Sequence, residues 1–238
     1  MRKALTRGAV WILVAAVCGV AAGQGMGAES KGVDERMAQA TALRDSFVNA
    51  TAAAGMGCPG TPPKIVVEDV PSYGSYDLAT NTLTTSAWEQ KTDEEKSVFF
   101  RMLGPGTTED AARAEFEIGA NRWVFVRVMV GWWQACRKIP ETNSAYAYES
   151  EVNRIDAAYW REHDAAIIAH ERGVFGRLES RVPNPVPAGQ SVEAFYDAHY
   201  PDKVPNFLWF QARICLAVFD EKPSPTFAQA LKETSSSK

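Results

Sequence analysis

Histidine is scarce in this chain: His163, His170 and His199 are all there are in 238 residues. No two of them stand four apart, so no helix can offer a pair of imidazoles from one face to a metal. A phosphate-cradling loop is also missing, because the glycines near position 55 are not followed by a Lys-Ser/Thr signature. There is no internal repeat and no long block of like charge, which argues against a solenoid or a charged interaction tail. Beyond residue 22 no apolar run approaches the roughly 20 residues of a membrane-spanning helix.

What is present begins with an export signal. Arg2, Lys3 and Arg7 precede an apolar stretch from Ala9 to Ala22 and a small-residue exit, with Gly23 and Ala28 both suited to cleavage. Residues 1–28 therefore read as a signal peptide, and the mature protein is expected in the periplasm or outside the cell. Cys18 lies within this stretch, but Val17 before it poorly suits a lipoprotein signal. Removing three cations and no anions takes the net charge from −4 to about −7, which disfavours a nucleic-acid partner. The remaining length of about 210 residues suits one domain with a sizeable core.

Cys58, Cys136 and Cys215 survive cleavage, and an exported protein can oxidise two of them. Cys215 sits in the apolar run Ile214 to Phe219 and is expected as a buried thiol. That favours Cys58 with Cys136, although the spacing alone leaves the other pairings open.

The pattern along the chain predicts an α+β fold, with a small N-terminal sheet made of a strand and a hairpin followed by packed helices. An amphipathic helix is expected over 34–53, then a Gly/Pro loop, strands at 65–67, 73–76 and 82–85, and a helix capped by Thr92 and Glu95. Gly104, Pro105 and Gly106 end that helix. Long helices are expected at about 108–137 and 144–172, and shorter ones near 192–199, 206–219 and 226–232. The domain spans 34–233, and 234–238 reads as a disordered tail.

The segment Arg122 to Trp133 is apolar nearly all round, which belongs in a core. Arg127 in its middle then needs a carboxylate if it is buried. The run FEIGANRWVFVRVMVGWWQAC, followed by YESEVNRIDAAYWREH, resembles the active core of a gluzincin-type zinc metallopeptidase. Those enzymes carry HExxH on one helix and a third ligand, Glu, on the next. The resemblance places Arg127 and Gly131 at the two histidines, Val128 at the general-base Glu, and Glu149, four before Asn153, at the third ligand. It implies a zincin-like domain whose zinc has been lost. An arginine cannot lose its proton to ligate, valine cannot accept one, and glycine has no side chain. The resemblance also implies an ion pair between Arg127 and Glu149 where the zinc would be, and a peptide-binding edge strand at Thr82, Leu83, Thr84 and Thr85.

Other candidates are weaker. On one helix His163 and His170 would be about 10.5 Å apart in rise, too far to share an ion. His170-Glu171 opens like a metal motif but lacks the second histidine. Glu149 and Glu151, two apart, point different ways on a helix. Neither Cys136 nor Cys215 has a local His to activate it, and Trp123, Trp132, Trp133, Trp160 and Trp209 read as packing. The leading expectation is a non-catalytic, exported metallopeptidase-like protein that binds no zinc and takes a peptide or protein partner. A hydrolase with a site relocated to His163, His170, Glu149 or Glu171, and a purely structural interaction domain, are the alternatives.

Overall fold

Helix formers dominate residues 26–53, no proline interrupts them, and Lys31 pairs with Glu35 one turn on. The computed structural model, which describes residues 26–140, 142–200 and 206–236, accordingly starts helix α1 at Met26 and runs it to Ala53, eight residues earlier than expected. The expected signal peptide, with Cys18, lies outside the described residues apart from 26–28. Three short strands follow: β1 (Lys64–Val67), β2 (Gly74–Asp77) and β3 (Thr82–Thr85). All later elements are helical, so the chain is α+β with its sheet near the N-terminus.

The sheet order is β1-β3-β2, with β1 parallel and β2 antiparallel to β3. This corrects the expectation that Thr82, Leu83, Thr84 and Thr85 form an edge for a peptide. β3 is the central strand, and both of its edges already carry ladder hydrogen bonds. Leu83 and Thr85 are fully buried, and the Arg36 guanidinium donates to Thr85 Oγ1 at 2.9 and 3.1 Å.

Helix α2 (Asp93–Leu103) opens with the expected box. Thr92 Oγ1 accepts from the Glu95 amide at 3.3 Å, and the Glu95 carboxylate accepts from the Thr92 amide at 2.9 Å. Gly104, at φ 103°, ends it in a conformation that glycine adopts most readily. The predicted 108–137 helix is one helical run of three parts: α3 (Glu109–Glu115), a π-helical segment (Phe116–Val124) and α4 (Phe125–Cys136).

The predicted 144–172 helix is two. Helix α5 (Ala145–His163) stops at Asp164, whose extended backbone breaks the run. The Asp164 side chain then caps α6 (Ala165–Arg181) through the Ala166 amide and pairs with Arg122 at 2.8 Å. His163 and His170 thus sit on different helices, and the one-helix spacing argument does not apply to them. Helices α7 (Val192–His199), α8 (Phe207–Asp220) and α9 (Phe227–Ser236) complete the fold. The tail expected from Thr234 is helical to Ser236. Thr234 is buried, and Ser235 and Ser236 hydroxyls donate back to the Leu231 and Lys232 carbonyls.

Helix α4 is the core element: Phe125 to Val130 and Trp132 to Gln134 are all buried. It packs on α1, β2, β3 and α5, while α5 also meets α6, α8 and α9. Cys136, at its end, is bonded to Cys58 with Cα atoms 5.9 Å apart, and Cys215 is a buried free thiol, both as expected. No helix among the described residues is long and apolar enough to cross a membrane.

Candidate functional site

An apolar α4 with one arginine has to solve a charge problem, and α5 solves it. The Arg127 guanidinium forms an ion pair with Glu149, both side chains being nearly wholly buried, at 5% and 2% exposure. Arg127 Nη1 also donates to Gln211 Oε1 on α8 at 2.8 Å. Gly131, one turn beyond Arg127, looks at the same neighbour: a Cβ there would stand 3.7 Å from the Tyr148 hydroxyl. Val128 is buried towards the sheet, its Cγ2 3.3 Å from where Gly74 would carry a Cβ. The positions 127 and 131 therefore share a face that turns to the start of α5.

These residues do not fit a zinc ion. A guanidinium occupies the approach to the one carboxylate, and the other two positions offer no donor atom. Asn153, next along α5, donates to the Glu149 carbonyl at 2.7 Å and accepts from the Cys215 thiol at 3.4 Å. Burial pushes the Cys215 thiol pKa up, so it is not a nucleophile. Glu151 points elsewhere and accepts from Gln134 Nε2 at 2.7 Å.

One α5 residue lies deeper. Asp156 is fully buried, and that burial holds its pKa well above the usual carboxylate range. Arg127 opposes the shift, Glu171 adds to it, and the Trp160 indole opposes it.

Of the histidines, two are packing groups. His163 stacks on Tyr159 at 4.1 Å and bonds its Nδ1 to the Tyr159 carbonyl. His199 lies against Phe195 at the same centroid distance of 4.1 Å, tilted by 31°, and bonds its Nδ1 to the Phe195 carbonyl. His170 differs: its Nε2 lies 2.7 Å from Glu115 Oε2, and beside it on α6 is Glu171. One carboxylate oxygen from Glu115, one from Glu171 and a His170 ring nitrogen lie within 4.8 Å of one another. Glu115 and Glu171 are each 1% exposed. Burial raises the pKa of both, against the effect of His170 on Glu115. His170 and Glu171 were legible as a partial motif. Glu115 was not, since it lies 55 residues away in sequence and no spacing ties it to them.

The expected site residues thus divide. Arg127, Gly131 and Glu149 come together and Val128 faces the sheet, whereas His163 is remote in role from His170 and Glu171. The aromatics Trp123, Trp132, Trp133, Trp160 and Trp209 are buried packing groups. Compared with family models, with curated proteins and with solved structures, the chain matches none.

Proposed function

We propose that this is an exported, non-catalytic protein of gluzincin-type descent, in which an internal ion pair has replaced the catalytic zinc. The observation that carries this reading is the buried Arg127–Glu149 pair, with Gly131 on the same face of α4. A guanidinium supplies a positive charge to the carboxylate that a metal would otherwise hold, and it cannot activate water. Positions 128 and 131 offer neither a general base nor a metal ligand, and the role proposed for the protein is binding of a peptide or protein. A peptide adding to the sheet would have to use an outer strand, β1 or β2, of which β2 packs on α4 on its Val128 side.

The test is a broad peptide-cleavage assay with and without chelator, joined to a reconstruction. The natural protein is expected to show no chelator-sensitive cleavage. The double variant Arg127→His/Gly131→His rebuilds a three-ligand set with Glu149, and is expected to take up one more zinc equivalent than the parent, lost again on Glu149→Gln. Chelator-sensitive cleavage by the natural protein would overturn the non-catalytic reading. A folded double variant that gains no zinc would remove the alignment beneath it.

A further inference from the structure

We infer that Glu115, His170 and Glu171 form a binding site for a divalent transition-metal cation, separate from the Arg127–Glu149 pair. The argument begins with charge. Glu115 and Glu171 are both 1% exposed, and Glu115 Oε1 and Glu171 Oε1 are buried with no hydrogen-bond partner. Buried carboxylate oxygens are costly unless a proton, a donor or a cation meets them.

The second observation is where these two oxygens point. A Cβ placed on Gly119 would lie 3.2 Å from Glu115 Oε1 and 3.6 Å from Glu171 Oε1. The two partnerless atoms therefore converge over the one residue of that turn with no side chain. Gly119 lies in the π-helical segment that follows Glu115 directly and packs against α6. Wide i→i+5 turns of this kind are frequent at functional sites.

The third is the donor set. Two carboxylate oxygens and one imidazole nitrogen within 4.8 Å need only a small contraction to share an ion, because ligand bonds of about 2.0–2.2 Å bring neighbouring donors to roughly 3–4 Å. Mixed oxygen and imidazole donors suit zinc, cobalt, manganese or iron(II) better than calcium. Two carboxylates and a neutral imidazole carry −2, which a dication neutralises. Three protein ligands leave room for water.

Access is through His170, whose side chain is 37% exposed while Glu115 is sealed. In the metal-free protein a proton lies between His170 Nε2 and Glu115 Oε2, 2.7 Å apart. On binding, metal–nitrogen and metal–oxygen bonds form, the proton between His170 and Glu115 and the proton of a neutral Glu171 carboxyl both leave to solvent past the exposed imidazole, and no electron is transferred.

The experiment titrates the purified, chelator-stripped protein with Zn²⁺ by calorimetry, and with Co²⁺ by visible absorption, which reports low coordination number and nitrogen ligation. The expected result is one saturable site, a raised melting temperature with Zn²⁺, and at least a tenfold loss of affinity in Glu171→Gln and in His170→Ala. Glu171→Gln keeps the shape of the protonated acid. Its fold is checked by circular dichroism, and Gly119→Ala, which crowds the cradle without replacing a ligand, gives a second reading. Absence of saturable uptake by the natural protein would overturn the site in favour of two carboxyls sharing a proton. Zinc uptake unchanged in Glu171→Gln but lost in Glu149→Gln would overturn this site and the ion-pair reading together. Zinc lost in Glu171→Gln and kept in Arg127→Met would uphold this one alone.

Discussion

Two sets of buried glutamates in the helical core, Glu149 and the pair Glu115 and Glu171, have opposite surroundings. Glu149 has its counter-charge built in, because Arg127 reaches it from the preceding helix. Glu115 and Glu171 face each other with an imidazole to one side, and each keeps an oxygen without a partner. A side-chain cation closes the first site to ligands, whereas the second has donors to spare. The contrast shows that burial of an acid is not itself a sign of a metal or catalytic site; what matters is whether the chain supplies the balancing charge.

The comparison can be broken most forcefully at Arg127. Arg127→Met leaves Glu149 charged and alone in the core, and is expected to cost about 3–5 kcal/mol in urea denaturation. Arg127→Met/Glu149→Gln should recover more than half of that, since both charges are then gone. A single-variant cost below about 1 kcal/mol would mean that the pair does not govern the region.

Asp156 feels the charges of both Arg127 and Glu171, and its pH dependence sharpens the contrast. Burial raises its folded-state pKa, so the native protein holds a proton that the unfolded chain releases at ordinary carboxylate pH. Its contribution is fully present below the unfolded value and is lost as pH rises through the folded value. Asp156→Asn is therefore expected to flatten the decline in stability from acid to neutral pH, and to equal or exceed the parent at pH 7. Denaturation series at several pH values check this, and a steeper decline in the variant would contradict it.

A smaller effect compares one substitution at both places. Without metal, Glu171→Gln replaces a buried acid whose ionisation is disfavoured by burial and by Glu115, and should raise stability at neutral pH by on the order of 1 kcal/mol. Glu149→Gln removes half of a pair and should lower it. Equal signs in chemical denaturation would erase the distinction drawn above. The smallest effect is at Gly119. Alanine gains about 0.5–1 kcal/mol of helix preference and loses some of it to the 3.2 Å approach of Glu115 Oε1. The net change should stay within about 1 kcal/mol while zinc affinity falls.

How much of this could be read in advance depended on range along the chain. The Thr92–Glu95 cap, the stop at Gly104 and the all-round apolar α4 are local patterns, and each was legible. The Cys58–Cys136 bond was favoured because the third cysteine sat in an apolar run. The Arg127–Glu149 pair was legible because a core arginine demands a carboxylate and the resemblance said which. The break at Asp164 was missed: one extended residue between two helical patterns leaves the periodicity almost undisturbed.

The amino-acid sequence alone determined the α+β class, the caps, the buried character of α4 and its need for a counter-charge, because these follow from side-chain chemistry over a few residues. Tertiary structure alone decided that β3 is the inner strand, which withdrew the peptide edge, and that Glu115 joins His170 and Glu171 over Gly119. Strand order and the meeting of distant side chains depend on how whole elements pack, and no period or spacing in the chain records that.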